Sequence, residues 1–230
     1  MKDCIVIALF GGKGERFGLS KPKQFALLGE EPMLLVTLRA YDAIDCVREI
    51  VVVGEPNTLQ EAASLIFDAE IEKVASVIAG GPRRQDSARN ALEDLRERGI
   101  KDGDIVLIVD GDRPCVQERF VRECVEAVEP GVGAVVAIPS TDSLLLGEGS
   151  FVGSYLDRNQ VSRVQTPQGF CFGDIYEAHA TLKDEDFTDD ASMVLRLGKE
   201  VRIVKGSPSN IKITTPEDIG VYEQWNRNDT

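Results

Sequence analysis

Ile5-Val6-Ile7-Ala8-Leu9-Phe10-Gly11-Gly12-Lys13-Gly14-Glu15-Arg16 lies at the start of the chain, and Lys21-Pro22-Lys23-Gln24 follows closely. A short unbroken apolar run ending at glycines reads as a strand buried on both faces. The glycine-rich turn behind it then sits at the strand's carboxyl end, where open α/β sheets bind ligands. Glycines there let backbone N–H groups approach phosphate oxygens closely. Lys13, Arg16, Lys21 and Lys23 are opposed only by Glu15, in a chain of net charge -13. Such a local excess points to a polyanion, and a nucleoside triphosphate supplies one. A solvated basic turn is the plainer alternative. The dinucleotide fingerprint fails because Phe17 stands where it needs glycine, and the P-loop pattern is absent.

Outward from this stretch, β-branched runs at 5–9, 50–53, 74–79, 105–109 and 134–138 alternate with helical spacing at 33–44, 58–67, 84–98 and 118–128. The alternation predicts an α/β fold, a doubly wound, mainly parallel sheet with helices on both faces. After about residue 140 the pattern changes. Residues 143–165 are rich in Gly, Ser and polar residues, and 151–155 and 161–165 alternate. The segment reads as a β-hairpin arm projecting from the sheet. Helices return at 174–182 and 190–197, a strand at 201–204, and a last helix from about 216 to 225, with Thr215 as N-cap and Pro216 in its first turn. One domain over 1–230, carrying an arm, is expected.

The chain has 230 residues, 43% of them hydrophobic, enough to bury a sizeable core. Its acidity should repel nucleic acid. Five scattered cysteines, an odd number without C-x-x-C spacing, support neither a zinc site nor a disulfide framework. A reducing compartment fits them. The first apolar run lacks a cleavage pattern and reads as a strand rather than a signal peptide. No stretch is long enough to span a membrane. A cytoplasmic protein is expected.

Five segments carry a family resemblance: Gly11-Gly12-Lys13-Gly14-Glu15-Arg16 with Pro22-Lys23-Gln24; Gly80-Gly81-Pro82-Arg83-Arg84-Gln85-Asp86-Ser87; Asp110-Gly111-Asp112-Arg113-Pro114; Gln165-Thr166-Pro167-Gln168-Gly169-Phe170; and Asn210-Ile211-Lys212-Ile213-Thr214-Thr215-Pro216. Together they resemble the sugar-phosphate nucleotidyltransferases, above all the 2-C-methyl-D-erythritol 4-phosphate cytidylyltransferases. The ribitol-5-phosphate cytidylyltransferases share most of these residues. The resemblance implies a Rossmann-like nucleotidyltransferase fold, a homodimer joined through the arm, CTP and a polyol phosphate as ligands, and Mg²⁺ or another divalent cation. It also implies attack of a substrate phosphate on the α-phosphate of CTP.

By that resemblance Arg16, Lys23 and Lys212 are catalytic and Asp110 is near the metal. Phe10, Gly11, Gly12, Lys13, Gly14, Gly80, Gly81, Arg84 and Ser87 surround the nucleotide, and Arg113, Ser143, Arg158 and Thr166 the acceptor. A nucleotide-binding paralogue without catalysis is the competing class.

The chemistry is consistent with these residue types. A phosphate monoester has a second pKa of about 6, so it is already mostly a dianion at pH 7. No general base is needed, which suits a chain whose single histidine, His179, reads as a surface or packing residue. Positioning and neutralisation of charge are needed, and Arg, Lys and Mg²⁺ provide them. Asp110 ends an apolar run, where it could hold a cation or cap a turn. Ser87 fits a ligand role or the first turn of a helix. Asp189-Asp190 precedes a helix and reads as its N-cap, outside the site. Relatives usually carry His-Asp-Ala-x-Arg-Pro where this chain has Val109-Asp110-Gly111-Asp112-Arg113-Pro114. Asp112 would repel a dianionic phosphate unless it binds metal or points away.

Overall fold

The computed structural model describes residues 2–11 and 22–228, without the side chains of 226–228. In chain order the elements are β1 (Cys4–Leu9), β2 (Leu27–Leu28), β3 (Glu31–Pro32), α1 (Met33–Asp42), β4 (Val47–Gly54), α2 (Leu59–Asp68), β5 (Val74–Ala79), α3 (Arg84–Glu97), β6 (Ile105–Asp110), α4 (Glu118–Ala127) and β7 (Val132–Pro139). The arm follows as β8 (Leu144–Glu148) and β9 (Phe151–Leu156), and then come β10 (Ser162–Cys171), α5 (Phe172–Thr181), α6 (Asp190–Arg196), β11 (Glu200–Lys205) and α7 (Glu217–Asn228).

Seven strands form one sheet in the order β11-β7-β10-β6-β1-β4-β5. All neighbouring pairs are parallel except those of β10, which runs antiparallel to both β6 and β7. The mainly parallel, doubly wound expectation is met. Side chains alternate across a strand. On β1, Cys4, Val6 and Ala8 therefore pack with Leu34, Leu38 and Phe120 of α1 and α4. Ile5, Ile7 and Leu9 pack on the other face with Leu92 and Leu95 of α3 and Ile175 of α5. Both faces are covered, which is why the central strands are apolar throughout.

One expectation needs correction. The arm hairpin pairs β8 with β9 alone, and 161–165 does not belong to it. Ser162 begins the antiparallel strand β10, which pairs first with Pro139 of β7 and then enters the main sheet beside β6. Its first three residues are exposed and the other seven buried. Alternation there marks the half of a strand that overhangs the sheet.

The topology also places the site. From β1 the chain steps to β4 and β5 on one side and then returns to β6 on the other. The strand order reverses at β1, and a crevice opens at the carboxyl ends there. A small third apolar cluster of Ala26, Leu28, Met33, Ile213 and Tyr222 pins the 211–213 segment close to the start of α1.

Candidate active site

A cleft of about 940 Å³ lies at this carboxyl edge, lined among others by Gly11, Lys23, Gly80, Arg84, Asp110 and Lys212. That is ample for a nucleotide-sized ligand, since pockets commonly run from about 300 to 1,000 Å³.

The glycines make room for close backbone packing. A Cβ on Gly81 would stand 2.4 Å from Asp86 Cβ, and one on Gly80 would stand 2.8 Å from Ser87 Oγ. Ser87 holds this turn, its Oγ accepting from Gly81 N–H at 3.0 Å. Asp86 accepts from Arg83 N–H at 3.2 Å and fixes the start of α3. Gly111 must also lack a side chain, because a Cβ there would meet the Phe10 ring at 2.4 Å. The Phe10 ring is buried in the core and closes the cleft from below.

Asp110 is the electrostatic centre. Its Oδ2 accepts from Lys212 Nζ at 3.0 Å and from Arg113 Nε at 3.3 Å. Its Oδ1 accepts from Arg84 Nε at 3.3 Å. Burial would raise its pKa, but Lys212, Arg84 and Arg113 outweigh burial and hold the carboxyl far below the usual range. Thr166 accepts from the Asp110 backbone N–H through Oγ1 at 3.2 Å.

Asp112 neither points away nor stands alone. Its Oδ2 pairs with Lys23, and its Oδ1 lies 3.7 Å from Lys212 Nζ. Lys23 also donates to Ile213 O at 3.2 Å, and Ile213 N–H donates to Asp112 O at 2.8 Å. Lys23 and Lys212, 189 positions apart in the chain, thus meet on one carboxylate. The Asp112 Oδ1 atom is buried without a hydrogen-bond donor among the described residues.

Of the other expected residues, Gly12, Lys13, Gly14, Arg16 and Lys21 lie outside the described residues. Arg113 turns to Asp110 and to Asn210 O, 2.8 Å from its Nη1. Ser143 and Arg158 are exposed at the base of the arm and do not line the cleft. Arg158 sits in a single turn after β9, with Nη1 3.5 Å from Thr141 O.

Two site neighbours escape the sequence. Asp189 does cap α6, accepting from Ser192 N–H at 3.2 Å. Asp190 instead is fully buried and accepts from Arg84 Nη1 at 2.6 Å. His179 is buried too, with Nε2 3.0 Å from Asp190 Oδ1. The doublet held the clue, because one cap needs only one aspartate. Burial would raise the Asp190 pKa, but Arg84 and His179 overcome it and lower it to about 2.

This shift predicts an acid sensitivity. The folded-state value lies below the ordinary 3.8. The stabilisation is therefore complete above about pH 4 and is lost as pH falls through about 2, with a full size of about 2 kcal/mol. Urea unfolding at pH 6 and pH 3 should show the wild type losing about 1 kcal/mol more than Asp190→Asn, half of the full effect. Equal losses would refute this account of Asp190.

The five cysteines are free thiols. Among the described residues no helix is long and apolar enough to cross a membrane.

A family model for 2-C-methyl-D-erythritol 4-phosphate cytidylyltransferase matches residues 4–226. The chain is 38% identical over 218 residues to the enzyme of that name from Bacillus cereus, covering 94% of each. It is 39% identical over 215 residues to that of Geobacillus thermodenitrificans, covering 93% of this chain and 92% of the relative. A solved 4-diphosphocytidyl-2C-methyl-D-erythritol synthase superposes with a TM-score of 0.81 at 26% identity, covering 97% of this chain and 98% of the other. A match of this extent, over a sheet edge that gathers the expected cations, settles membership: the chain belongs to the 2-C-methyl-D-erythritol 4-phosphate cytidylyltransferase family, the CTP-dependent nucleotidyltransferases of isoprenoid precursor synthesis.

Proposed function

We propose that the protein joins CTP to 2-C-methyl-D-erythritol 4-phosphate, giving the CDP-alcohol and pyrophosphate. The observation that carries this reading is the meeting of Lys23, Lys212, Asp110 and Asp112 at the carboxyl ends of β1 and β6. An oxygen of the acceptor phosphate attacks the α-phosphorus of CTP. The bond from that phosphorus to the oxygen bridging the β-phosphate breaks, and pyrophosphate leaves with the electron pair. Lys23 and Lys212 neutralise the charge that gathers on the α-phosphate oxygens in the transition state. No base is required, and His179 is buried against Asp190, unavailable to act as one.

A divalent cation fits the residues present. Asp110 and Asp112 line the cleft together, and the buried Asp112 Oδ1 lacks a hydrogen bond. These two carboxylates would hold the ion, which supplies further positive charge to the triphosphate when bound. In this reading Asp112 is compatible with a dianionic acceptor because Lys23 pairs with one of its oxygens and the cation would take the other.

The protein works as one nucleotidyltransferase unit whose arm pairs with a second copy of itself. An isolated two-stranded hairpin is marginal in water. This one exposes Leu145, Leu146, Phe151, Val152 and Tyr155. A partner covering them would bring Ser143 and Arg158 towards a cleft in the dimer, where an acceptor phosphate could meet them. Free cysteines support a cytoplasmic location, and a net charge of -13 argues against nucleic acid as a partner.

A pyrophosphate-release assay with CTP and Mg²⁺ tests the reading, with 2-C-methyl-D-erythritol 4-phosphate and ribitol 5-phosphate compared side by side. Release should follow the first acceptor. Release with ribitol 5-phosphate alone would reassign the acceptor. No release with either would leave a nucleotide-binding paralogue.

A further inference from the structure

A chain of hydrogen-bonded side chains runs from the helical layer to the reacting edge, and its Arg84 lines the cleft. His179 on α5 bonds to Asp190 on α6, Asp190 to Arg84 on α3, and Arg84 to Asp110 at the end of β6. Asp190 is 0% exposed and His179 2% exposed. Placing a carboxylate and an imidazole there costs stability unless every polar atom is matched. Both Asp190 oxygens are matched. Asp190 Oδ2 faces Arg84, and Asp190 Oδ1 faces His179. Simple helix capping needs none of this, because Asp189 already caps α6.

We infer that Asp190, fixed by His179, is a positioning residue that holds the Arg84 guanidinium against Asp110. Arg84 commits Nη1 to Asp190 and Nε to Asp110. A guanidinium is a rigid planar fork, so fixing one arm sets the direction of the other. His179 Nε2 must carry the proton to donate to Asp190 Oδ1, and that bond fixes which way the carboxylate presents Oδ2. Arg84 is thereby a strut between two carboxylates more than a contact to the nucleotide. Asp110 in turn keeps one oxygen for Arg84 and the other for Lys212 and Arg113. The orientation of Lys212, and of any cation held by Asp110, is set four contacts away by an imidazole that never meets substrate.

This inference rests on the proposed reaction, so its test has one arm that needs no turnover. His179→Ala should lower kcat by about 10- to 100-fold, the usual effect of removing an outer partner of a functional carboxylate. The KM for CTP should change less than about threefold, because the nucleotide's contacts remain. His179→Gln, whose amide can still donate to Asp190, should recover most of the loss. Asp190→Asn should match His179→Ala or exceed it. In parallel, the Arg84 Nε–H exchange rate, followed by side-chain ¹⁵N NMR of the folded protein, should rise about tenfold or more in His179→Ala and remain slow in His179→Gln. Unchanged exchange in His179→Ala would overturn the strut whether or not the wild type releases pyrophosphate. A raised KM for CTP with kcat intact would make Arg84 a nucleotide contact instead. Equal kcat losses in His179→Ala and His179→Gln would show that packing, not the hydrogen bond, is at work. A wild type that leaves CTP uncleaved, yet shows the expected exchange pattern, would refute the reaction and retain the strut.

Discussion

Lys212→Ala should lower kcat by about 10²–10³-fold, the loss typical of removing one preorganised donor at a developing negative charge. That corresponds to about 3–4 kcal/mol of transition-state stabilisation. Lys212 is suited to the role because the backbone around it is fixed while its head is 38% exposed to the cleft. Ile213 beside it is fully buried, its N–H bonded to Asp112 O at 2.8 Å. Gln165 Nε2 donates to Asn210 O at 3.1 Å just before it. Removing the ammonium leaves Asp110 with Arg84 and Arg113, so the fold should tolerate the change. Lys23→Ala should be equally damaging to turnover but a less clean test. It removes the paired cation from Asp112, whose side chain is 11% exposed, and so exacts a stability cost as well. Steady-state kinetics beside thermal unfolding separate the two effects. A kcat within threefold of wild type for Lys212→Ala would put the chemistry elsewhere.

What the sequence made legible follows the range of the forces involved. Short, β-branched apolar runs such as 105–109 and 134–138 read as doubly buried strands, and each lies within a residue or two of its element. Gly80 and Gly81 stand out in the sequence as part of a family motif, and the fold adds the reason, close packing that leaves room only for glycine. The sequence does not place β10, because alternation at 161–165 records exposure on one face and says nothing about which strand is the neighbour. The Asp189-Asp190 doublet is legible only in part, since Asp189 caps α6 and Asp190 does not. Capping is local chemistry and was visible in the Asp189-Asp190 doublet. An ion pair with Arg84, 106 positions away, exists only once α3 and α6 pack on the same face. In the sequence Asp112 reads as a conflict with a dianionic acceptor phosphate. Its resolution needed Lys23 and Lys212 to be delivered by the crevice at β1 and by the apolar cluster around Ile213.

Asp110→Ala should produce the largest combined loss, in both turnover and stability. Asp110 is 8% exposed and accepts from three cations. Its removal leaves Arg84, Arg113 and Lys212 facing one another across a partly dry space. Breaking a buried pair by removing one partner costs about 3–5 kcal/mol. Asp190 still holds Arg84, and Asn210 O still holds Arg113, so the lower end of that range is expected. In a domain of this size about 3 kcal/mol corresponds to a fall in Tm of about 6–12 °C. Asp110→Asn separates shape from charge. Its amide oxygen still accepts one hydrogen bond, so the stability loss should be smaller, about 1.5–3 kcal/mol, the size of one charge-assisted bond. Turnover should nevertheless fall as far as in Asp110→Ala. A neutral amide cannot balance Lys212, and it would hold a divalent cation more weakly than a carboxylate does. Urea unfolding and pyrophosphate release on the two variants read these quantities independently. An Asn variant with wild-type kcat would remove Asp110 from the reaction and leave it a structural hub, and an Ala variant with an unchanged unfolding midpoint would remove it from the ion network altogether.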